Sequence, residues 1–204
     1  MGMLRTHKVV NLYTTQSYVT ALVSNPQGGM VVSAHLDGTI RTFSIQNIQQ
    51  GGSPTVIATH SCVPFALAWG LSIVVAGNDR QVVFLDEMGR LEATFDCSSD
   101  PQCREFTTAT CNPSGDTMVL GNFDSFYIYA KNKDTQRWEA TGTKRVENMY
   151  SVTALSWKPD GSKLAVGALC GVVDLYDVCL RRALYKGKFE FTYVSHSQVI
   201  VKEL

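Results

Sequence analysis

The sequence predicts an all-β chain in which one small antiparallel sheet is repeated several times. Three observations carry this. A unit made of a hydrophobic run, a tight polar turn and a second hydrophobic run occurs four times: V-V-S-A-H-L-D-G-T-I-R-T-F (31–43), I-V-V-A-G-N-D-R-Q-V-V-F-L (73–85), M-V-L-G-N-F-D-S-F-Y-I-Y (118–129) and L-A-V-G-A-L-C-G-V-V-D-L-Y (164–176). The turn position is held by Asp37, Asp79, Asp124 and Cys170, so the steps are 42, 45 and 46 residues. Apolar residues inside the runs are short and bounded by Gly, Pro, Asn and Asp, as strands are. A period of this size with several short strands per unit marks a β-propeller blade.

Taken in order, Gly2-Met3-Leu4-Arg5 can be laid on Gly38-Thr39-Ile40-Arg41 and reads as the third strand of an earlier blade. The first unit, near 14–44, places a strand at Tyr18–Val23 before the turn Asn25-Pro26-Gln27-Gly28-Gly29. The second, near 62–86, is weaker, because Phe65–Trp69 meets only Gly70 before the next strand. The third, near 105–130, runs Phe106–Cys111 into Asn112-Pro113-Ser114-Gly115 and is one residue shorter between its turn Asp and its aromatic. The fourth, near 150–177, reads most clearly: a strand at Ser151–Trp157 with Val152, Ala154 or Leu155, and Trp157 suited to burial, the turn Lys158-Pro159-Asp160-Gly161, a strand at Lys163–Gly167, the Cys170-Gly171 turn, and a strand at Val172–Tyr176 closed by Asp177. Pro presets φ and Gly accepts positive φ, which is what such turns demand. The polar stretches Gln46–Pro54, Asp96–Gln102 and Lys131–Lys144 are expected to hold each blade's outer strand and its loops, with Trp138 on one of them.

Strand, Pro-x-Gly turn, strand, tight turn, and a strand ending in an aromatic is the pattern of a WD-type repeat. The expected fold is therefore an incomplete WD40-type β-propeller, residues 1–204 forming one partial propeller of about four blades with partial strands at 2–12 and 187–204, where Phe189–Val194 and Gln198–Val201 read as first strands of another blade. Four blades are fewer than is common for this repeat, so the chain reads as an excerpt of a longer protein. Raw sheet edges would otherwise be exposed.

Bulk properties narrow the function classes. The formal net charge is zero, which gives no global field to recruit nucleic acid or anionic lipid. Hydrophobic runs such as Leu71–Ala76 are too short to span a bilayer, and the first residues show no apolar run of the secretory kind. The six cysteines, at 62, 97, 103, 111, 170 and 179, have no regular spacing, and no N-x-S/T acceptor occurs. Both point to a reducing compartment with free thiols.

The candidate sites read as structural. Asp37, Asp79 and Asp124, with Gly38 and Gly171, are expected to fix the blade turns by accepting backbone N–H bonds, not to catalyse. Full WD repeats add a His before the first strand; the sequence reads as lacking it in every unit, and the Trp of the pattern is replaced by Phe43 or Tyr176. No paired C-x-x-C or H-x-x-x-H spacing exists and His60-Ser61-Cys62 stands alone, so neither metal nor cofactor is expected. No G-x-S-x-G elbow, G-x-G-x-x-G loop or Walker loop occurs, so no enzyme class is indicated. The aromatics Phe65, Trp69, Tyr127, Trp157 and Tyr176 fall at strand periods and are expected in the core. Arg181, Arg182, Lys186 and Lys188 form a cationic stretch without an acid, a solvated strand or hairpin surface by the plain reading and a contact for an acidic partner or a membrane by the sharper one. Met-Gly-Met-Leu-Arg-Thr formally fits an N-myristoylation start at Gly2, though the third-strand reading explains the same residues.

The stretches T-T-Q-S-Y-V-T-A-L (14–22), P-F-A-L-A-W (64–69), D-P-Q-C-R-E-F-T-T-A (100–109), Y-S-V-T-A-L-S-W-K-P-D-G-S-K-L-A-V-G-A-L-C-G (150–171) and K-F-E-F-T-Y-V-S-H-S-Q-V-I-V-K (188–202) resemble the large WD-repeat subunit of intraflagellar transport complex B. The resemblance covers all but the first dozen residues. It implies a position within the first of two N-terminal propellers, a non-enzymatic scaffold role in building cilia, and partners among the other complex B subunits, including one with a calponin-homology domain. It also implies residence in the cilium or flagellum and basal body with a cytoplasmic pool; the neutral charge, with no basic stripe, separately argues against a nucleic-acid partner. It assigns no functional residue. A peripheral membrane or lipid-binding module using 181–188 is the competing reading.

Overall fold

The computed structural model describes residues 2–3, 8–50, 52–146, 148–178, 181–193 and 199–204. A two-stranded ribbon, β1 (Gly2–Met3) with β2 (Lys8–Val9), precedes the first blade. Leu4 and Arg5, half of the expected first strand, lie outside the described residues, as do Val194 and Gln198 near the other end. Three four-stranded antiparallel meanders follow. The first is β3 (Val19–Ser24), β4 (Met30–His35), β5 (Thr39–Ser44) and β6 (Thr55–Thr59). The second is β7 (Pro64–Trp69), β8 (Ile73–Gly77), β9 (Gln81–Leu85) and β10 (Leu91–Asp96). The third is β11 (Thr108–Cys111), β12 (Thr117–Gly121), β13 (Ser125–Lys131) and β14 (Trp138–Arg145). The fourth sheet has three strands, β15 (Val152–Trp157), β16 (Lys163–Ala168) and β17 (Val173–Asp177). A further three-stranded sheet joins β18 (Arg181–Tyr185), β19 (Phe189–Tyr193) and β20 (Val199–Glu203). This is the predicted all-β architecture of an incomplete propeller.

The first hairpins of three blades are closed by Pro-x-Gly turns. In the first, third and fourth blades Gly28, Gly115 and Gly161 have φ of +73°, +82° and +73°, and each donates its N–H to the carbonyl three residues back, at Asn25, Asn112 and Lys158. Asn25 and Asn112 reinforce the loop further, their Oδ1 atoms accepting the N–H of Met30 and Thr117. The second blade has only a short Gly70-Leu71 link. A Cβ at Gly70 would lie 2.6 Å from the Gly115 carbonyl oxygen, and Leu71 donates its N–H to that same oxygen. The short turn is thus docked on the neighbouring blade's longer one.

The core lies between sheets. Every residue of β8 is buried, which is why it reads as an unbroken apolar run. Burial of side chains such as Ile73 and Val74 contributes roughly 1.5–3 kcal/mol each. Val32, Ile40, Leu67, Trp69, Ile73 and Leu85 join the first blade to the second. Phe84, Phe106, Met118, Tyr129 and Trp138 join the second to the third, with Phe84 stacked on Trp138 at 4.5 Å. Val119, Phe126, Val152, Leu164 and Val166 join the third to the fourth.

Two expectations change, and one open alternative is resolved. The outer strands of the first two blades lie outside the polar stretches: β6 follows Gln46–Pro54, much of which coils as a 3₁₀ turn at Ile45–Gln50, and β10 precedes the loop 97–102. Their alternation is weak because they are edge strands facing water. Phe65 is 44% exposed, not in the core, while Trp69 and Tyr127 are buried and Trp157 and Tyr176 half-buried. The reason is a bulge in the first strand of three blades, between Val19 and Ala21, Pro64 and Ala66, and Val152 and Ala154. The bulged residue breaks the two-residue alternation, so Phe65 turns away from Leu67 and Trp69. The same bulge decides between Ala154 and Leu155: Val152 is buried, Leu155 and Trp157 point inward, and Ala154 is exposed.

Candidate functional site at the blade-end turns

The turn linking the second and third strands of each blade lies beside the segment that enters the first strand. The partners of the predicted turn residues differ from blade to blade. In the first blade Asp37 Oδ1 accepts the Thr39 N–H at 3.0 Å and its hydroxyl at 2.7 Å, and Arg41 lies 3.6 Å from Oδ2. The Thr39 hydrogen bonds hold the Asp37 carboxyl below its ordinary range. Asp37 donates its own N–H to the Ser17 hydroxyl at 3.1 Å. Gly38, with φ +83°, is packed so closely that a Cβ would meet the His60 carbonyl oxygen at 2.7 Å.

The main fastener of this blade is His35, which the sequence did not single out. It is fully buried. Its Nε2 lies 2.7 Å from the Ser33 hydroxyl, which in turn accepts from Tyr13, and its Nδ1 lies 3.2 Å from the Ser17 carbonyl.

In the third blade the equivalent position is Asn122. Register shows the equivalence: Ala34 pairs with Ile40 and Gly121 with Phe126, one residue shorter around the turn. Asn122 Oδ1 accepts the Arg104 N–H at 2.9 Å and its Nδ2 donates to the Arg104 carbonyl at 3.1 Å. Asp124 does not take the part expected of it. Arg145 stands 3.8 Å from its Oδ2, and its buried Oδ1 has no hydrogen-bond partner. The missing residue shifts Asp124 out of the position that Asp37 holds.

The second blade carries glycine, Gly77, at that same position, and a Cβ there would lie 2.5 Å from the Cys62 sulfur. Here the turn aspartate fastens the blade. Asp79 Oδ1 accepts the Gln81 N–H at 3.1 Å, Asp79 Oδ2 lies 3.2 Å from His60 Nε2, and the Ser61 hydroxyl donates to the same carboxylate. Burial raises the Asp79 carboxyl, but the Ser61 and Gln81 hydrogen bonds and the His60 charge outweigh it and leave it lowered. Burial, with the Asp79 charge, pushes the Cys62 thiol up, which makes it a poor nucleophile. The histidine read as missing before every first strand is therefore present in the second blade, as His60, four residues ahead of β7. Its signal was the long-range pairing of positions 60 and 79, which local spacing does not display. The ligand atoms of His60, Cys62 and Asp79 lie within 4.8 Å of one another, and a cavity of about 280 Å³ lined by Ile40, His60, Ser61, Val75 and Leu91 adjoins them.

In the fourth blade Gly171 has φ +87° with open space around it, and Leu169 donates its N–H to the Tyr150 carbonyl. Cys170 is exposed, and hydrogen bonds with the Tyr150 and Val172 backbone hold its thiol below the ordinary value. Lys186 and Lys188 are exposed at the β18–β19 turn, Lys186 lying 5.2 Å over the Tyr185 ring. The side chains of Arg181 and Arg182, on β18, lie outside the described set, as does the burial of Gly2. Among the described residues no helix is long and apolar enough to cross a membrane.

Comparison with known proteins matches residues 6–44, which include the first three strands of the first blade, to the WD domain, G-beta repeat family. Over its whole length the chain is 50% identical to intraflagellar transport protein 172 of Chlamydomonas reinhardtii. It is 45% identical over 98% of its length to the Danio rerio homologue and 31% identical over its whole length to intraflagellar transport protein osm-1 of Caenorhabditis elegans. The chain spans 12% of the length of each of these relatives.

Proposed function

We propose, for a chain homologous along its full length to one segment of intraflagellar transport protein 172, that it is a non-enzymatic protein-interaction scaffold of the intraflagellar transport machinery. The observation that carries this reading is the identity itself, sustained from end to end in relatives as far apart as an alga, a fish and a nematode. The structure supports it in kind. Polar groups at the blade-end turns mostly fasten their own blades, as Asp37, Asp79 and Asn122 do. Blades fixed this way present their turns as a stiff surface, on which a few buried anchors supply most of the binding energy.

On this reading the chain acts in the cilium or flagellum, with the basal body and a cytoplasmic pool as further stations, and serves cilium assembly. Its partners are other complex B subunits, one with a calponin-homology domain among them. The test is affinity capture with the tagged chain from a ciliated-cell extract. Enrichment of complex B subunits over a scrambled-turn control is expected; recovery of chaperones alone overturns the reading.

A further inference from the structure

We propose that His60, Cys62 and Asp79 form a binding site for a single divalent cation of the zinc class. The cluster is assembled by the fold: His60 and Cys62 come from the segment entering β7, and Asp79 from the β8–β9 turn. An imidazole nitrogen, a thiol sulfur and a carboxylate oxygen are the three donor types zinc takes. Magnesium and calcium prefer oxygen alone.

The spacing fits. All three ligand atoms lie within 4.8 Å of one another, and His60 Nε2 stands 3.2 and 3.3 Å from the two Asp79 oxygens. A tetrahedral ion with metal–ligand bonds of about 2.0–2.2 Å separates its N and O ligands by about 3.4 Å. An ion can therefore replace the His60–Asp79 hydrogen bond with little movement of either side chain.

Two glycines shape the place. Gly77 leaves the space that the Cys62 sulfur occupies, since a Cβ there would stand 2.5 Å from it. Gly38 admits the His60 backbone, whose carbonyl oxygen would lie 2.7 Å from an added Cβ. The Ser61 hydroxyl on Asp79 holds the carboxylate as an outer-shell partner does. Three protein ligands leave a fourth position for water or a partner's side chain. On binding, the Cys62 thiol loses its proton to solvent and the sulfur bonds the metal as thiolate, with no change of oxidation state.

Cobalt(II) titration of the reduced 204-residue chain tests this, because a cysteine thiolate on cobalt gives a ligand-to-metal absorption band that carboxylate or imidazole ligation does not. One equivalent of cobalt should raise the band, and zinc should abolish it by displacement. Cys62→Ser should remove it, Asp79→Asn should weaken cobalt binding by more than the about 10–100-fold that follows loss of an outer-shell partner, and Cys170→Ser should change nothing. Circular dichroism of each variant checks that the sheets persist. A folded chain with no band, or a band that survives Cys62→Ser, overturns the site and leaves the three residues as a hydrogen-bonded fastener only.

Discussion

The Thr20 hydroxyl donates to the Pro64 carbonyl at 2.5 Å, and the Thr107 hydroxyl donates to the Val152 carbonyl: one contact, made twice, between the first strands of neighbouring blades. Thr20 is the bulged residue of β3, and Thr107 stands just before Thr108 at the matching position of the third blade. In the first blade the bulge thus aims a hydroxyl out of its own sheet and into the next, and Thr107 does the same from just ahead of β11. Replacing Thr20 by Val keeps the shape and leaves the buried Pro64 carbonyl unpaired. The expected loss is about 1–2 kcal/mol. Thr107→Val should cost a similar amount, and the distant pair should add. Urea unfolding of the two single variants and the double variant reads this; an unchanged midpoint in both singles refutes it.

Phe65 occupies the same bulge in the second blade. Its ring is half in water and offers the third blade no donor. Phe65→Thr should therefore not destabilise the chain as removal of a core aromatic would, by about 3–5 kcal/mol. A change within about 1 kcal/mol is expected. Thermal melts of the variant decide between the two sizes.

These contacts show what the sequence could and could not disclose. Central strands such as β8 and β12 were legible because burial on both faces leaves an apolar run between turn residues. The Pro-x-Gly hairpins were legible because the positive φ of Gly28, Gly115 and Gly161 demands glycine. Outer strands such as β6 and β10 leave no such trace, whereas β14 falls in the polar stretch expected to hold it, marked by Trp138. The fasteners were least legible. His35, His60 and Asn122 each reach a partner 18 or 19 residues away through the fold, and which of them serves depends on whether the position that closes the second strand carries His, Gly or Asn. The turn aspartates looked equivalent because their spacing is nearly regular; one deleted residue separates Asp124 from the others.

Arg80 holds a left-handed φ of +59° next to Asp79, where the first and fourth blades carry Gly38 and Gly171. A side chain in that region costs about 1–2 kcal/mol. Glycine restores the freedom but loses more entropy from the unfolded chain, which offsets part of the gain. Arg80→Gly should raise stability by about 0.5–1 kcal/mol. A lower melting temperature would show that Arg80 makes a compensating contact.

The indole of Trp138 joins the second and third blades twice over: its ring stacks on Phe84, and its Nε1 donates to the Ser72 hydroxyl at 2.9 Å and to Glu92 at 3.2 Å. Lys131 lies 3.4 Å from the same carboxylate. Trp138→Phe keeps most of the ring contact and removes one donor while Lys131 and Ser72 still hold Glu92, so about 1 kcal/mol is expected. Trp138→Ala opens a cavity and should cost about 3–5 kcal/mol. Equal losses in the two variants would mean that the hydrogen bond, not the ring, carries the junction.

The acid side of the stability curve follows from depressed carboxylates. Asp100 is lowered by the Gln102 N–H and the Tyr127 hydroxyl, and Asp96 by the Ser98 hydroxyl and N–H. For Asp116, burial raises the carboxyl, but hydrogen bonds from Ser114, Asn112 and Thr117 outweigh it and leave it lowered. A carboxyl lower in the folded chain than in the unfolded one binds fewer protons when folded, so its stabilisation is complete above the unfolded value of 3.8 and is lost as pH falls below it through the folded value. Stability should therefore hold from neutral pH to about pH 5 and drop below pH 4. Asp116→Asn should flatten that drop, because the amide cannot release a proton in either state. An acid limb as steep in the variant as in the parent, followed by urea midpoints between pH 6 and 3, would show that Asp116 contributes nothing to it.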